Sequence, residues 1–180
     1  MTRLRIGMAL GLLFLPPLAG AAKGVDSSYS SVRAEDCHEV PDALAHSLAE
    51  QGVQGQECPG LAGWRLLFLN TDERSWLELR RDGARWSGAD DPAYRKLTGP
   101  FANIGGSDVV EWRLDEAGEP RALIFRAAVP KADDPVRNDS VLFVVRLDQP
   151  QPCLAGRASS NEAARALADG PPTCLGEPAP

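Results

Sequence analysis

Residues 140–148 read SVLFVVRLD. Successive side chains on a strand point to opposite faces, so Val141, Phe143, Val145 and Leu147 share one side and Leu142, Val144 and Arg146 the other. Both sides are apolar apart from Arg146, which predicts a central strand covered above and below. Outward from this strand the period of two recurs. In "DVVEWRLD" (108–115), Val110, Trp112 and Leu114 oppose Glu111 and Arg113. "EAGE" turns the chain into "PRALIFRAAV" (120–129). Further upstream, "GWRLLFLN" enters a strand after Pro59-Gly60, and "RSWLELRR" separates Leu77 and Leu79 from Trp76, Glu78 and Arg80. Asp82-Gly83 is a hairpin signal, with "ARWSG" as the return strand.

The period changes at the end of the chain. Ser159 with Glu162 three residues later has the capping-box spacing, and "NEAARALADG" predicts a helix that stops at Gly170 before Pro171-Pro172. Ala164, Leu167 and Ala168 are expected to face the sheet. A second, short helix is expected in "VPDALAHSLAEQG", capped by Asp42 and stopped by Gly52. The fold class that follows is α+β: a curled antiparallel sheet of about six to eight strands with the C-terminal helix across it. The alternative is a small β-barrel or sandwich with helical trim.

The first residues, "MTRLRIGMALGLLFLPPLAGAAKG", combine a cationic start, a short apolar run and the small residues Ala19-Gly20-Ala21. That pattern predicts a cleavable signal peptide over residues 1–22, and the apolar run falls short of the ~20 residues a membrane span needs. No cysteine follows the small residues as a lipoprotein acceptor. The expected organisation is then a flexible leader at 23–28, one globular domain at 29–174, and a flexible tail at 175–180, in a periplasmic or secreted protein. Lys and Arg number 19 against 25 Asp and Glu, a net charge of −6. Such an acidic chain without a basic stripe argues against nucleic acid or an anionic membrane as partner.

Four cysteines, Cys37, Cys58, Cys153 and Cys174, lie beyond the leader. An even number in an oxidising compartment reads as two disulfides, with three pairings open. Loop-closure entropy favours the local pairs Cys37–Cys58 and Cys153–Cys174. Zinc would want paired short spacings with histidines nearby, and thioredoxin-like chemistry a C-x-x-C; neither occurs.

Catalytic patterns are missing too: no G-x-S-x-G elbow, no H-E-x-x-H, no phosphate loop opening a helix. No cofactor is expected. The histidines, His38 and His46, read as surface residues. "ADDP" occurs at 89–92 and 132–135, where paired carboxylates could serve calcium, yet the alternating spacing of a calcium loop is absent and Asp before Pro is ordinary turn chemistry. The binding candidate is the polar side of the central hairpin, Glu111, Arg113, Arg121 and Arg126 with Trp112 nearby, because Arg and Trp concentrate at interface hot spots. The competing reading is cross-strand charge pairing on a solvated face, worth ~0.2–1 kcal/mol per pair. A non-enzymatic binding module of the bacterial envelope, with a protein or glycan partner, is the expected function. A small-molecule or inhibitor-type barrel lined by tryptophans is the alternative, and an enzyme ranks behind both.

Several segments together resemble an uncharacterised family of small secreted bacterial proteins: "YSSV" before Cys37, "ECPGLAGWRLLFLNTDER", "EWRLDEAGEPRALIFR", and "CLAGRASSNEAARALAD". The resemblance covers most of the chain beyond the leader and implies no activity, so no catalytic residue is carried over. The helix-like insert between Cys37 and Cys58 departs from it.

Overall fold

A computed structural model describes residues 26–176. The expected signal peptide, the start of the leader and the end of the tail lie outside these residues. In chain order come β1 (Asp26–Ser31), a 3-10 turn at Ala34–Asp36, β2 (His38–Glu39), α1 (Asp42–Ala49), β3 (Gln54–Cys58), β4 (Arg65–Asn70) and β5 (Ser75–Arg81). Then follow β6 (Ala84–Ser87), α2 (Pro92–Thr98), β7 (Asn103–Ile104), β8 (Val109–Leu114), β9 (Pro120–Pro130), β10 (Asn138–Arg146), β11 (Cys153–Ala158) and α3 (Asn161–Asp169).

The class is α+β, but the strands form two antiparallel sheets and not one curled sheet. The first has six strands in the order β1-β8-β9-β10-β11, with β7 also pairing β9; the second has five, β2-β3-β4-β5-β6. Neither sheet closes on itself, which corrects the expectation of a curl or barrel. Side-chain alternation shows which residues share a face; it does not show where one sheet ends. The break falls after β6, where α2 interrupts the run of strands and was not anticipated.

β10 is central in its sheet, between β9 and β11. Phe143, Val145 and Leu147 enter the core shared by both sheets, together with Leu66, Leu77, Leu79 and Trp86 of the second sheet and Val110, Trp112, Leu123 and Phe125 of the first. Leu142 and Val144 face the other way, under Ala164 and Ala168 of α3. The second sheet is covered likewise on its outer side, where Leu48 of α1 meets Leu67, Leu69 and Trp76. Four layers result, helix–sheet–sheet–helix, and each fully buried Leu or Phe contributes ~1.5–3 kcal/mol by leaving water.

Local chemistry fixes the ends. Asp82 (φ 48°) and Gly83 (φ 87°) both take left-handed conformations, as a tight two-residue hairpin turn demands. The β8–β9 turn is held by Asp115, whose carboxylate accepts from the amides of Ala117 and Glu119, each at 2.9 Å. The cap of α3 is Ser160, one residue past the expected Ser159; its hydroxyl accepts from Ala163 N at 3.2 Å. Asp42 is the first residue of α1, not its cap. Ala164 and Ala168 make the close contact of α3 with the sheet, and Leu167, 37% exposed, lies over Gly156 of β11. Asp26 to Ser28, expected as leader, are the first half of β1 and pair with Leu114 to Trp112 of β8.

Both local disulfides are present, Cys37–Cys58 and Cys153–Cys174, and no free cysteine remains among the described residues. The first ties the entry of β2 to the end of β3. The second ties β11 to the chain leaving α3, where Leu175 N also donates to Leu154 O at 2.7 Å. Two disulfides fit an oxidising, extracytoplasmic setting. No helix among the described residues is long and apolar enough to cross a membrane.

Candidate functional site

The polar side of the central hairpin is not a free surface. α3 lies on it, so its charges serve an internal contact. Arg165 of α3 donates to both carboxylate oxygens of Glu111 (2.8 and 3.0 Å), and Ser27 donates to Glu111 at 2.6 Å. Arg113 forks onto Asp169 at the end of α3 (3.0 and 2.7 Å) and also contacts Ser27. Burial raises the Glu111 carboxyl, but hydrogen bonds from Arg165 and Ser27 and the charges of Arg165 and Arg113 outweigh it and hold the group below its usual range. Trp112 is fully buried between the sheets, its indole N–H donating to Ser30 at 2.9 Å, so it presents nothing to a partner. Arg121 reaches Gly170 O at 3.4 Å. Arg126 donates to Ser140 (2.9 Å) and Asn161 (3.4 Å). What stays open is a cleft of about 350 Å³ beside Tyr29, Ser107, Arg126 and Arg165, and its carboxylate, Glu111, is already neutralised.

Arg146 was the odd residue on an apolar face, and its role went unread. Its side chain is fully buried under the C-terminus of α3. It donates to Ala168 O at 2.7 Å and Gly170 O at 3.1 Å, and pairs with Asp148. The last carbonyls of a helix lack intrahelical partners and carry partial negative charge, which a guanidinium answers on both counts. α3 is thus pinned from beneath by β10.

A second group of charged side chains lies around α2. Asp91 caps this helix: one carboxylate oxygen accepts from Tyr94 N at 2.9 Å and the other from the Trp86 indole at 2.8 Å. Pro92 follows in the first turn, where its missing N–H costs nothing. The first "ADDP" is therefore a helix start, with a carboxylate already committed. The second lies in the β9–β10 connection, and no cluster of three metal-ligating side chains occurs among the described residues. Tyr94 plugs into the shared core against Trp86, Phe125 and Phe143.

With Tyr94 inward, Arg95 and Lys96 project outward. They meet Arg74, from the turn between β4 and β5, around a cleft of about 470 Å³ completed by Pro92, Gly99 and Pro100. Most described cations are ion-paired, yet none of these three has an acidic partner within 4 Å among the described residues. The Arg74 guanidinium lies over the Trp76 ring, 5.4 Å from its centre.

Behind the cleft is a narrow recess of about 20 Å³. Trp76 and Tyr94 line it, 6% and 3% exposed, and neither the Trp76 indole N–H nor the Tyr94 hydroxyl has a hydrogen-bond partner. Burial pushes the Tyr94 phenol above its ordinary range, so it stays protonated and able to donate. Gly88 keeps the recess tight. A Cβ there would meet the Tyr94 ring at 2.9 Å and Trp76 Cβ at 3.3 Å. Sequence reading missed this site, although Asp-Pro opening "AYRKLT" is a helix-start signal with two cations on the exposed side.

His38 and His46 are exposed, on β2 and α1, and line none of these clefts. The site as built offers fixed positive charge, which suits recognition of an anion. No family model matches the chain, and neither the curated proteins nor the solved structures contain a match to it.

Proposed function

We propose that this is an exported, non-catalytic binding protein of the bacterial envelope, and that its ligand presents an anionic group to the Arg74–Arg95–Lys96 cleft. The compartment rests on the leader pattern and is supported by the two disulfides. The recognition site moves from the hairpin face, which α3 occupies, to the cleft beside α2.

One observation carries the reading: three cations without acidic partners line one cleft of a chain whose acids outnumber its bases. Focused positive potential in a concave site raises local anion concentration and steers encounter, while the acidic remainder repels nonspecific polyanions. A ligand carboxylate, sulfate or phosphoryl group supplies the missing partner, and guanidinium forks give it orientation.

Titration of the full chain with citrate, inorganic phosphate and sulfate, followed by heat release, tests the reading. At least one anion should bind saturably, more weakly at higher salt, and the Arg95→Gln/Lys96→Gln variant should lose that binding while unfolding at an unchanged denaturant midpoint. Equal binding by the variant removes the cleft from the account.

A further inference from the structure

The cationic cleft has an apolar neighbour. Gly99 and Pro100 line it, and the same two residues line a second cleft of about 520 Å³. Leu97, Phe101, Val129, Pro130, Pro135 and Val141 make up most of that second lining. Phe101 is 52% exposed, and Val136, beside Pro135 in the β9–β10 connection, is 92% exposed. Exposed apolar surface gathered in one place and rimmed by polar groups marks a site of association. The junction between the clefts is bare. Gly99 has φ 70°, and a Cβ there would meet nothing within 4 Å.

We infer that the two clefts form one site for a single-chain anionic amphiphile, its charged head among Arg74, Arg95 and Lys96 and its hydrocarbon chain laid across Gly99-Pro100 against Phe101 and Leu97. The inference rests on the anion-binding reading above and specifies its ligand.

Charge placement supports it. Asp139 is the one acid lining either cleft, and Lys131 answers it at 3.3 Å. Free positive charge therefore gathers beside α2 and apolar lining beside β9 and β10, which matches a molecule charged at one end. The volume of the second cleft also lies within the ~300–1,000 Å³ usual for small-molecule sites.

The polar side chains of the second cleft favour hydrocarbon over a peptide. Lys131 and Asp139 hold each other, and the Thr98 hydroxyl donates to Tyr94 O at 2.9 Å. A peptide laid there would bring N–H and C=O groups that these side chains cannot readily answer, whereas an alkyl chain needs no partner. Arg157 also lines this cleft, without an acidic partner among the described residues. Its methylene stem can lie along an alkyl chain while the guanidinium stays in water.

The test is calorimetric titration of the full, disulfide-intact chain with hexanoate, octanoate and decanoate, each below the concentration at which it self-associates. A methylene that leaves water for an apolar site tightens binding by up to about fourfold, so decanoate should bind at least about tenfold more tightly than hexanoate. Octyl glucoside, with an eight-carbon chain and a neutral head, should bind much more weakly than octanoate. Arg95→Gln/Lys96→Gln should weaken all the carboxylates by a similar factor. Phe101→Ser, at a half-exposed position, should instead shrink the ratio of decanoate to hexanoate affinity by about threefold or more. Equal affinity for the carboxylates overturns the inference, and leaves the cationic cleft standing where citrate or phosphate still binds. Octyl glucoside binding as tightly as octanoate also overturns it. Capture on phosphatidylglycerol vesicles without saturable decanoate binding overturns it in favour of a membrane surface. Tighter binding of an acetylated peptide ending in leucine than of decanoate overturns it in favour of a peptide carboxylate. Failure of every anion, with or without a chain, overturns both readings.

Discussion

In an Arg146→Met variant, α3 keeps its sequence, its disulfide and its alanine contacts, and loses only the guanidinium beneath its last turn. Methionine fills a similar volume, so the change reads hydrogen bonding and charge more than cavity formation. Two short bonds to Ala168 O and Gly170 O disappear, leaving helix-end carbonyls without that donor in a buried place. The pair with Asp148 goes too. Removing one partner of a buried pair costs about 3–5 kcal/mol. Asp148 is 30% exposed and has Arg121 at 3.9 Å, so its carboxylate keeps water and a weak partner, and the lower end applies. The expected loss is thus about 3 kcal/mol, equivalent to ~6–12 °C in Tm for a domain of this size. Urea unfolding followed by circular dichroism reads it, with the dependence on urea unchanged. Hydrogen exchange should locate the weakening in α3 first, since β10 retains its ladder to β9 and β11. A loss below about 1 kcal/mol, or protection lost equally across both sheets, would refute the idea that β10 pins the helix.

Three further outcomes follow from the same contacts. Glu111 has a folded pKa below its ordinary value of 4.5, so it stabilises the fold above that pH, and the contribution fades as pH falls through the folded pKa. Stability of Glu111→Gln should therefore fall less steeply than wild type between pH 5 and acid, by about the width of that shift, and parallel curves would refute it. Asp91→Ala removes the cap of α2 and strands the Trp86 indole, an expected loss of ~2–4 kcal/mol, with altered near-ultraviolet circular dichroism as the local signature. Replacing Cys153 and Cys174 together by serine should lower stability by ~3 kcal/mol in the chain-entropy account and expose α3 to proteolysis; an unchanged unfolding midpoint would contradict it.

Period and punctuation were enough to read much of this fold. The alternation in SVLFVVRLD predicted a central strand covered on both sides, and β10 is that strand. Asp82-Gly83 marked the β5–β6 hairpin, and loop length favoured the disulfide pairing that the structure contains. Strand partnership was the illegible part, because a period of two assigns residues to faces and is silent about which sheet a strand joins. The consequence at the site was direct. Glu111 and Arg113 looked solvated because alternation placed them opposite Trp112, and only the path of α3 shows that they are covered. Trp112 itself followed the alternation and lies in the core. Arg146 was legible as a lone charge on an apolar face, yet its partners are backbone carbonyls, which carry no letter in the sequence.

Charge placement links the two halves of the functional reading. In a chain where acids outnumber bases, most described cations find an acidic partner, and strand pairing supplies several: Arg80 and Arg85 share the buried Glu78, and Arg65 reaches Glu57 across the sheet. α2 contains no acidic residue between Pro92 and Thr98, and its capping Asp91 is engaged by the Trp86 indole and the Tyr94 amide. Arg95 and Lys96 are thus denied the local partner that several strand cations obtain from a neighbour. Repulsion among three nearby cations is only modest in water, since two unit charges several ångströms apart interact by about 1 kcal/mol or less there. It grows when a ligand displaces that water, and the same displacement strengthens attraction to an anion. A cleft assembled this way costs the free protein little, and its field strengthens only where an anion displaces the water.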